Sequence, residues 1–236
     1  MSSEYIIELK DVWKKYSLKK LSHNNLRETI TDYLFNSSQR NDALDENEFW
    51  ALKNINLKIK KGESVGIYGP NGSGKTTIIK LLANVTTPTK GDVVVKGRVA
   101  PLISVSAGFH PDLSGRENIL TNGTILGMTI KEIKEKEDDI IEFSGLDKKF
   151  LSMQVKKYSS GMNARLGFSI AVHSNADILL LDEVLAVGDE NFQEKSSLKI
   201  EELKKSGKTL IIVLHNKKQL EDISDRIIYV NKGEIV

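Results

Sequence analysis

The chain has 236 residues and no cysteine, and its 34 Lys and Arg face 32 Asp and Glu for a net charge of +2. That length buries a sizeable core, while the missing cysteine excludes disulfide scaffolds, Cys-ligated zinc and thiol chemistry. The near balance of charge provides no basic stripe for nucleic acid and no cationic tail for anionic membranes.

The opening MSSEYIIELKDVWKK lacks the apolar core of a signal peptide, and the longest apolar runs, 178–181 and 210–214, are too short to span a bilayer. Any membrane role is expected to be peripheral. Residues 5–9 read as a strand. Residues 52–59 alternate apolar and polar side chains with Leu52 out of step, so the strand proper is expected to start at Lys53. Between them, 17–48 reads as a long excursion with one short amphipathic helix, because Leu26, Ile30, Tyr33 and Leu34 keep helical spacing before a polar, turn-rich stretch. Lys61-Gly62 is a turn signal, and the apolar run 64–68 follows it. Residues 93–95, 178–181, 210–214 and 227–230 read as further strands without alternation, which predicts burial on both faces. Helices are predicted over 75–83, 115–126, 131–143, 161–173, 191–205 and 217–223. In the third of these, Glu132 and Lys136 are spaced as an i,i+4 pair on a solvated face. The block 104–174 is mostly helix, so the fold class is expected to be α/β, a mixed sheet with an inserted helical part.

The chemistry concentrates in three motifs. Gly69-Pro70-Asn71-Gly72-Ser73-Gly74-Lys75-Thr76 satisfies GxxxxGK[ST], with an apolar strand before it and a helical run from Thr77 after it. Glycines let successive N–H groups turn toward phosphate oxygens, and the helix adds its positive end. Lys75 can then reach the β- and γ-phosphates, and the Thr76 hydroxyl can ligate Mg²⁺. Ile178-Leu-Leu-Leu-Asp182-Glu183 is an apolar strand ending in two acids, costly unless they face a cation or a cleft. Asp182 is expected to hold Mg²⁺ through water, and Glu183 to act on the attacking water. Tyr158-Ser159-Ser160-Gly161-Met162 starts a predicted helix, so its hydroxyls and N–H groups form a second anion site. Asn231-Lys-Gly-Glu234 mimics the NKxD motif of GTPases, but Glu234 replaces the Asp and no DxxG follows Asp182. His23, His110 and His173 lack ligand spacing, so no metal beyond Mg²⁺ is expected.

Taken in order, with His215 following the strand 210–214, these motifs resemble an ATP-binding cassette (ABC) ATPase over nearly the whole chain. The resemblance implies a P-loop fold in one domain, 1–236. A RecA-like core with an antiparallel β part would occupy 1–103 and 175–236, and a helical subdomain 104–174. It also implies that Tyr16 stacks on adenine, that His215 senses the γ-phosphate and that Asp189 lies in a dimer-contact loop. Ser159, Ser160 and Gly161 would contact the nucleotide held by an opposite subunit.

The departures from the common pattern are themselves informative. The Gln expected at the entry to the helical subdomain is absent, with Ser104 or Val105 in its place. The signature reads YSSGM where LSGGQ is common, and Leu214 stands before His215 where Ser is usual. Together with the runs 106–118 and 182–189, they resemble the ATPases of bacterial polysaccharide exporters, which move O-antigen, capsule or teichoic acid. That implies a homodimer using ATP and Mg²⁺, bound to an integral membrane permease at the cytoplasmic face of the membrane. It further implies a lipid-linked glycan as cargo, 17–48 near the permease, and no nucleic-acid partner. The alternatives are an ABC ATPase for another transported substrate and a non-transport ABC ATPase. Members of that second group usually carry tandem cassettes or a coiled coil. Family members often continue past the last strand, so Ile235-Val236 is expected to end either a short form or a truncated chain.

Overall fold

The computed structural model describes residues 4–18, 45, 47–102, 108–182 and 188–236. The excursion predicted over 17–48 lies almost wholly outside the described residues, as do Ser104, Val105 and Glu183.

Two sheets build the core. An antiparallel sheet runs in the order β2-β1-β4, from Glu48–Lys60, Tyr5–Ser17 and Lys90–Val95. The second runs β5-β6-β7-β3-β8-β9, from Val99–Leu102, Ile178–Asp182, Thr209–Val213, Ser64–Tyr68, Arg226–Asn231 and Glu234–Ile235. Its strands are parallel except for the final β8–β9 pair. The helices are α1 Lys75–Leu82, α2 Gly115–Ile125, α3 Ile130–Ser144, α4 Lys148–Leu151, α5 Ser160–Val172, α6 Glu190–Lys205 and α7 Lys217–Ile223.

The parallel sheet explains the unbroken apolar runs of β6 and β7. On β6, Leu179 and Leu181 point into a core shared with α2, α3, α5 and α6, while Ile178 and Leu180 join α1 and the antiparallel sheet on the other face. On β7, Leu210 and Ile212 take the first face and Ile211 and Val213 the second. Strands covered on both faces have no solvent side to alternate with.

The prediction of two-sided burial fails for the other two runs. β4 is in the antiparallel sheet, where Val94 is exposed and Val93 and Val95 only half-buried, because its outer face is left open among the described residues. β8 lies next to the last strand of its sheet and turns Ile228 and Val230 inward while Tyr229 faces solvent.

The strands β1 and β2 are also longer than the periodicity predicts. Asp11 and Asn54 have positive φ, 47° and 46°, and the pairing register shifts beside them. The Asn56 side chain stitches the irregularity, accepting from the Asp11 N–H at 2.9 Å and donating to the Asn54 side chain at 2.9 Å. This bulge resets the phase, so Leu52 and Ile55 both point into the core. Leu52 is thus out of step by design, and the strand continues through it to Glu48.

The Glu132–Lys136 prediction is corrected as well. Glu132 turns back to cap α3, accepting from the Thr129 N–H at 2.7 Å, and its other oxygen takes the Asn175 amide. Lys136 donates to the His173 carbonyl at 2.8 Å and to Asn175 Oδ1 at 2.7 Å. Both side chains serve the turn after α5, and burial lowers the pKa of the Lys136 amine.

Candidate functional site

β3 ends at Tyr68, and the chain must turn at once into α1. Residue 69 has no room for a side chain, since a Cβ there would sit 2.0 Å from the Val230 carbonyl oxygen. Gly72 and Gly74 take φ of 75° and 113°, the region open to glycine at low cost. A Cβ on Gly74 would lie 2.8 Å from the Ala51 carbonyl oxygen, whereas one on Gly72 would meet nothing within 4 Å. Gly69 and Gly74 are therefore glycine for packing, while Gly72 leaves a bare patch of backbone facing open space.

α1 begins here, and its start differs from those of all the other described α-helices. Side chains cap α2 through α7: Ser114, Thr129, Asp147, Ser159, Asp189 and Asn216. α1 has no side-chain cap and no acid in its first turn. The N–H groups of that turn and the positive end of the helix dipole face outward together. Lys75 is 7% exposed and folds onto its own loop, donating to the carbonyls of Gly69 at 2.7 Å and Pro70 at 2.9 Å. The Ser73 hydroxyl is buried with no hydrogen-bond partner among the described residues. Thr76 is exposed and Thr77 half-buried. A lysine held by neutral carbonyls, an unused hydroxyl and an uncapped helix start form a built anion site, fitted to phosphate oxygens.

This loop is one wall of a cleft of about 580 Å³. Residues 71–77 form one side, and Tyr16, Phe49 and Trp50 supply an aromatic wall. Tyr16 and Phe49 are directly paired across β1 and β2, with ring centroids 6.1 Å apart. The Lys14 amine lies 5.1 Å from the centroid of the Tyr16 ring. Ala51, Lys53, Lys232 and Gly233 complete the lining. Pairing of Tyr16 with Phe49 was legible only once the strands were placed in register, so the sequence pattern missed Phe49 and Trp50.

Asp182 and His215 lie at the same edge of the parallel sheet. Asp182 ends β6, half-buried, and pairs in register with Val213 of β7. His215 follows two residues later and is exposed. The carboxylate of Asp182 and hydroxyl of Thr76 are oxygen donors, the kind Mg²⁺ prefers. Strand order places β7 beside β3, so both residues flank the phosphate loop on its β7 side, the usual ligand edge of such a sheet. Neither lines the cleft described above.

Ser159, Ser160 and Gly161 are on a different part of the molecule and do not line the cleft either. Ser159 caps α5, its Oγ accepting from the Met162 N–H at 3.2 Å. A Cβ on Gly161 would find only that Oγ, 3.9 Å away, so nothing among the described residues requires glycine there. The preceding Tyr158 is buried, with its hydroxyl donating to the Phe150 carbonyl at 2.7 Å, and burial raises its pKa. Asp189 caps α6 by accepting from the Phe192 N–H at 2.9 Å and pairs with Arg165 of α5 at 3.2 Å. The signature helix and the helix after the acidic strand are thereby tied, a link the sequence did not announce.

Comparison with known proteins gives the family and the fold. The protein-family model described as "ABC transporter" matches residues 52–186. The chain is 44% identical over 97% of its length to an O-antigen export system ATP-binding protein of Myxococcus xanthus, covering 52% of that protein. It is 41% identical over its full length to a teichoic acids export ATP-binding protein of Lactiplantibacillus plantarum, covering 62% of it. The chain thus spans between half and two thirds of those two relatives. A Klebsiella pneumoniae O-antigen export ATP-binding protein is 41% identical over 98% of the chain and 92% of its own length. Among solved structures, the dimeric bacterial ABC transporter cassette MJ0796 superposes with a TM-score of 0.74 at 25% identity, over 97% of this chain and 96% of that one.

Proposed function

The chain belongs to the ABC transporter family, and from that premise we propose that it is the ATP-hydrolysing subunit of an exporter for a cell-envelope polysaccharide. The uncapped start of α1, with Lys75 held ready on the Gly69 and Pro70 carbonyls, carries the nucleotide part of this reading. The relatives' names, O-antigen export and teichoic acids export, carry the cargo class.

In this reading the N–H groups of residues 71–77 and the Lys75 amine surround the triphosphate and neutralise charge developing on it. Releasing Lys75 from two neutral carbonyls to anionic oxygens exchanges weak acceptors for stronger ones. Tyr16 supplies an aromatic face for adenine. Thr76 would hold Mg²⁺ directly and Asp182 through water. Held by these two residues, Mg²⁺ would supply positive charge to offset that of the triphosphate. Glu183 positions and deprotonates the attacking water, and His215 contacts the γ-phosphate.

Ser159, Ser160 and Gly161 do not line the chain's own cleft, which supports the reading that they complete the site of a second copy. The open space beside Gly161 supports this, since a close-approaching phosphate would need it. Asp189 then lies at the contact between copies. The homodimer works on an integral membrane permease at the cytoplasmic face, which carries the lipid-linked glycan. The division into a core (1–103 and 175–236) and a helical subdomain (104–174) is part of the same proposal.

The test is ATPase activity of the purified chain against protein concentration, with Glu183→Gln alongside. Activity rising faster than linearly, and a loss of about 10²–10⁴-fold in the variant with ATP binding retained, is expected. Strictly linear activity would remove the composite dimeric site, and unchanged turnover in Glu183→Gln would remove that residue's role.

A further inference from the structure

The motif rejected as a guanine-binding signature, Asn231-Lys-Gly-Glu234, is at the nucleotide cleft. β8 and β9 pair Val230 with Ile235 and Asn231 with Glu234, so Lys232 and Gly233 form a two-residue hairpin loop. Both have positive φ, 47° and 84°, as in the primed hairpin turns. Gly233 suits such a turn. Lys232 does not, because its first position favours Asn, Asp or Gly. A lysine with a Cβ is therefore held there against local preference.

The turn is fastened to the phosphate loop. The Gly233 N–H donates to the Ser73 carbonyl at 2.8 Å, and its carbonyl accepts from the Lys53 N–H at 2.8 Å. Lys232 is exposed, lines the cleft and has no ion-pair or hydrogen-bond partner among the described residues. Its neighbour in the lining, Lys53, lies 3.8 Å from Glu234 and is partly neutralised. Lys232 is thus the cation of this wall still open to a ligand.

Strand order says which part of the ligand it faces. β3 runs into the phosphate loop between β7 and β8. Asp182 and His215 flank the loop on the β7 side, where the γ-phosphate must point if those residues act on it. The Lys232 turn flanks it on the β8 side, and the same cleft carries the aromatic wall of Tyr16, Phe49 and Trp50. Resting on the nucleotide reading above, we infer that Lys232 is an affinity-setting residue for the ribose-proximal phosphates, the part that ATP and ADP share. Lys75 and the loop N–H groups hold the distal phosphates, and Lys232 adds a positive charge from the hairpin turn fastened beside that loop.

Lys232→Asn separates this role from a structural one, because asparagine suits the turn better than lysine does. Melting temperature of the variant should equal or exceed that of the wild type. Titration calorimetry with ATP and with ADP should show affinity falling about three- to tenfold for both, by a common factor, with the gap closing at high salt. Lys232→Arg should restore most of the affinity. Equal ATP affinity in wild type and Lys232→Asn overturns the inference while leaving the nucleotide site intact. A loss for ATP alone overturns it too, by placing the amine at the γ-phosphate, and so does a loss seen only with GTP. If wild type and Lys75→Ala both fail to bind ATP, the nucleotide reading itself falls, and this inference with it.

Discussion

Two helix starts in this molecule meet the same electrostatic demand in opposite ways. α2 opens with a reciprocal capping box: the Ser114 hydroxyl accepts from the Glu117 N–H at 3.3 Å, and the Glu117 carboxylate accepts from the Ser114 N–H at 2.8 Å. α3 repeats the device with Thr129 and Glu132. α1 has neither a capping side chain nor an acid, and places Gly74, Lys75, Thr76 and Thr77 where those would be. A side-chain cap is typically worth about 1 kcal/mol. Among the described α-helices the cap is forgone at one and supplied at six, so the omission marks a site where the orphan N–H groups are reserved for an external anion. α5 is intermediate, since it is capped by Ser159 yet bare on the outside at Ser160 and Gly161.

The most severe way to break that contrast is to give α1 what α2 and α3 have. Thr77 occupies the third helical position, the place of Glu117 in α2 and of Glu132 in α3. Thr77→Glu should leave the fold as stable as before or slightly more so, by up to about 0.5–1 kcal/mol from the helix dipole. The same carboxylate would occupy and repel the phosphate site. ATP affinity should drop by at least about a hundredfold, given the strength of charged contacts in such a site. Calorimetric binding beside thermal unfolding checks both signs. Unimpaired ATP binding would mean that α1 is merely uncapped.

A smaller and sharper comparison sets Ser114→Ala against Ser159→Ala. Each removes one N-cap, so each should destabilise by about 1 kcal/mol. Ser114 has no place in the proposed composite site, and its variant should keep wild-type ATPase per folded molecule. Ser159→Ala should lose activity beyond its stability cost, most visibly at protein concentrations where the wild-type rate rises faster than linearly. Equal residual activity in the two variants would leave Ser159 a cap and nothing more.

How far the sequence could be read follows from what each motif depends on. The phosphate loop, the acidic strand and the capped helices are local: their residue types and spacing are dictated within a dozen positions, and helix ends fall within a residue or two of the predicted ones. β6 and β7 were legible because burial on both faces leaves an unbroken apolar run. β4 and β8 misled because three or four apolar residues look the same whether one face or two is covered. The bulge at Asp11 and Asn54 needed register, since a lone Leu52 out of phase reads as a strand end unless its partner strand is known. The cleft shows the same division. Residues 69–77 announced themselves, whereas Phe49, Trp50, Lys53 and Lys232 reach it from two hairpins whose placement is a tertiary fact. The Arg165–Asp189 pair likewise joins helices 24 positions apart along the chain, with no periodicity to betray it.

The gentlest test of the capping contrast uses acid. Glu132 accepts from the Thr129 N–H and hydroxyl and from the Asn175 amide, with Arg98 3.7 Å away. These bonds, the Thr129 N–H foremost, favour the ionised form and bring its pKa from 4.5 down to about 2. A carboxyl whose pKa is depressed by folding contributes stability above its unfolded pKa and loses it as pH falls toward the folded value. The contribution is therefore complete at neutral pH and fades between about 4.5 and about 2. Glu132→Gln keeps the shape and one acceptor oxygen but removes the charge. Its melting temperature should lie modestly below that of the wild type at pH 7, with the two converging as pH approaches the folded value. α1 has no carboxylate in its first turn to titrate, so acid acting on caps should loosen α3 while leaving the start of α1 unchanged. A melting gap between wild type and Glu132→Gln that stayed constant from pH 7 to pH 2.5 would show that Glu132 stabilises α3 through packing, and the charge-based contrast between the two helix starts would then lose one of its supports.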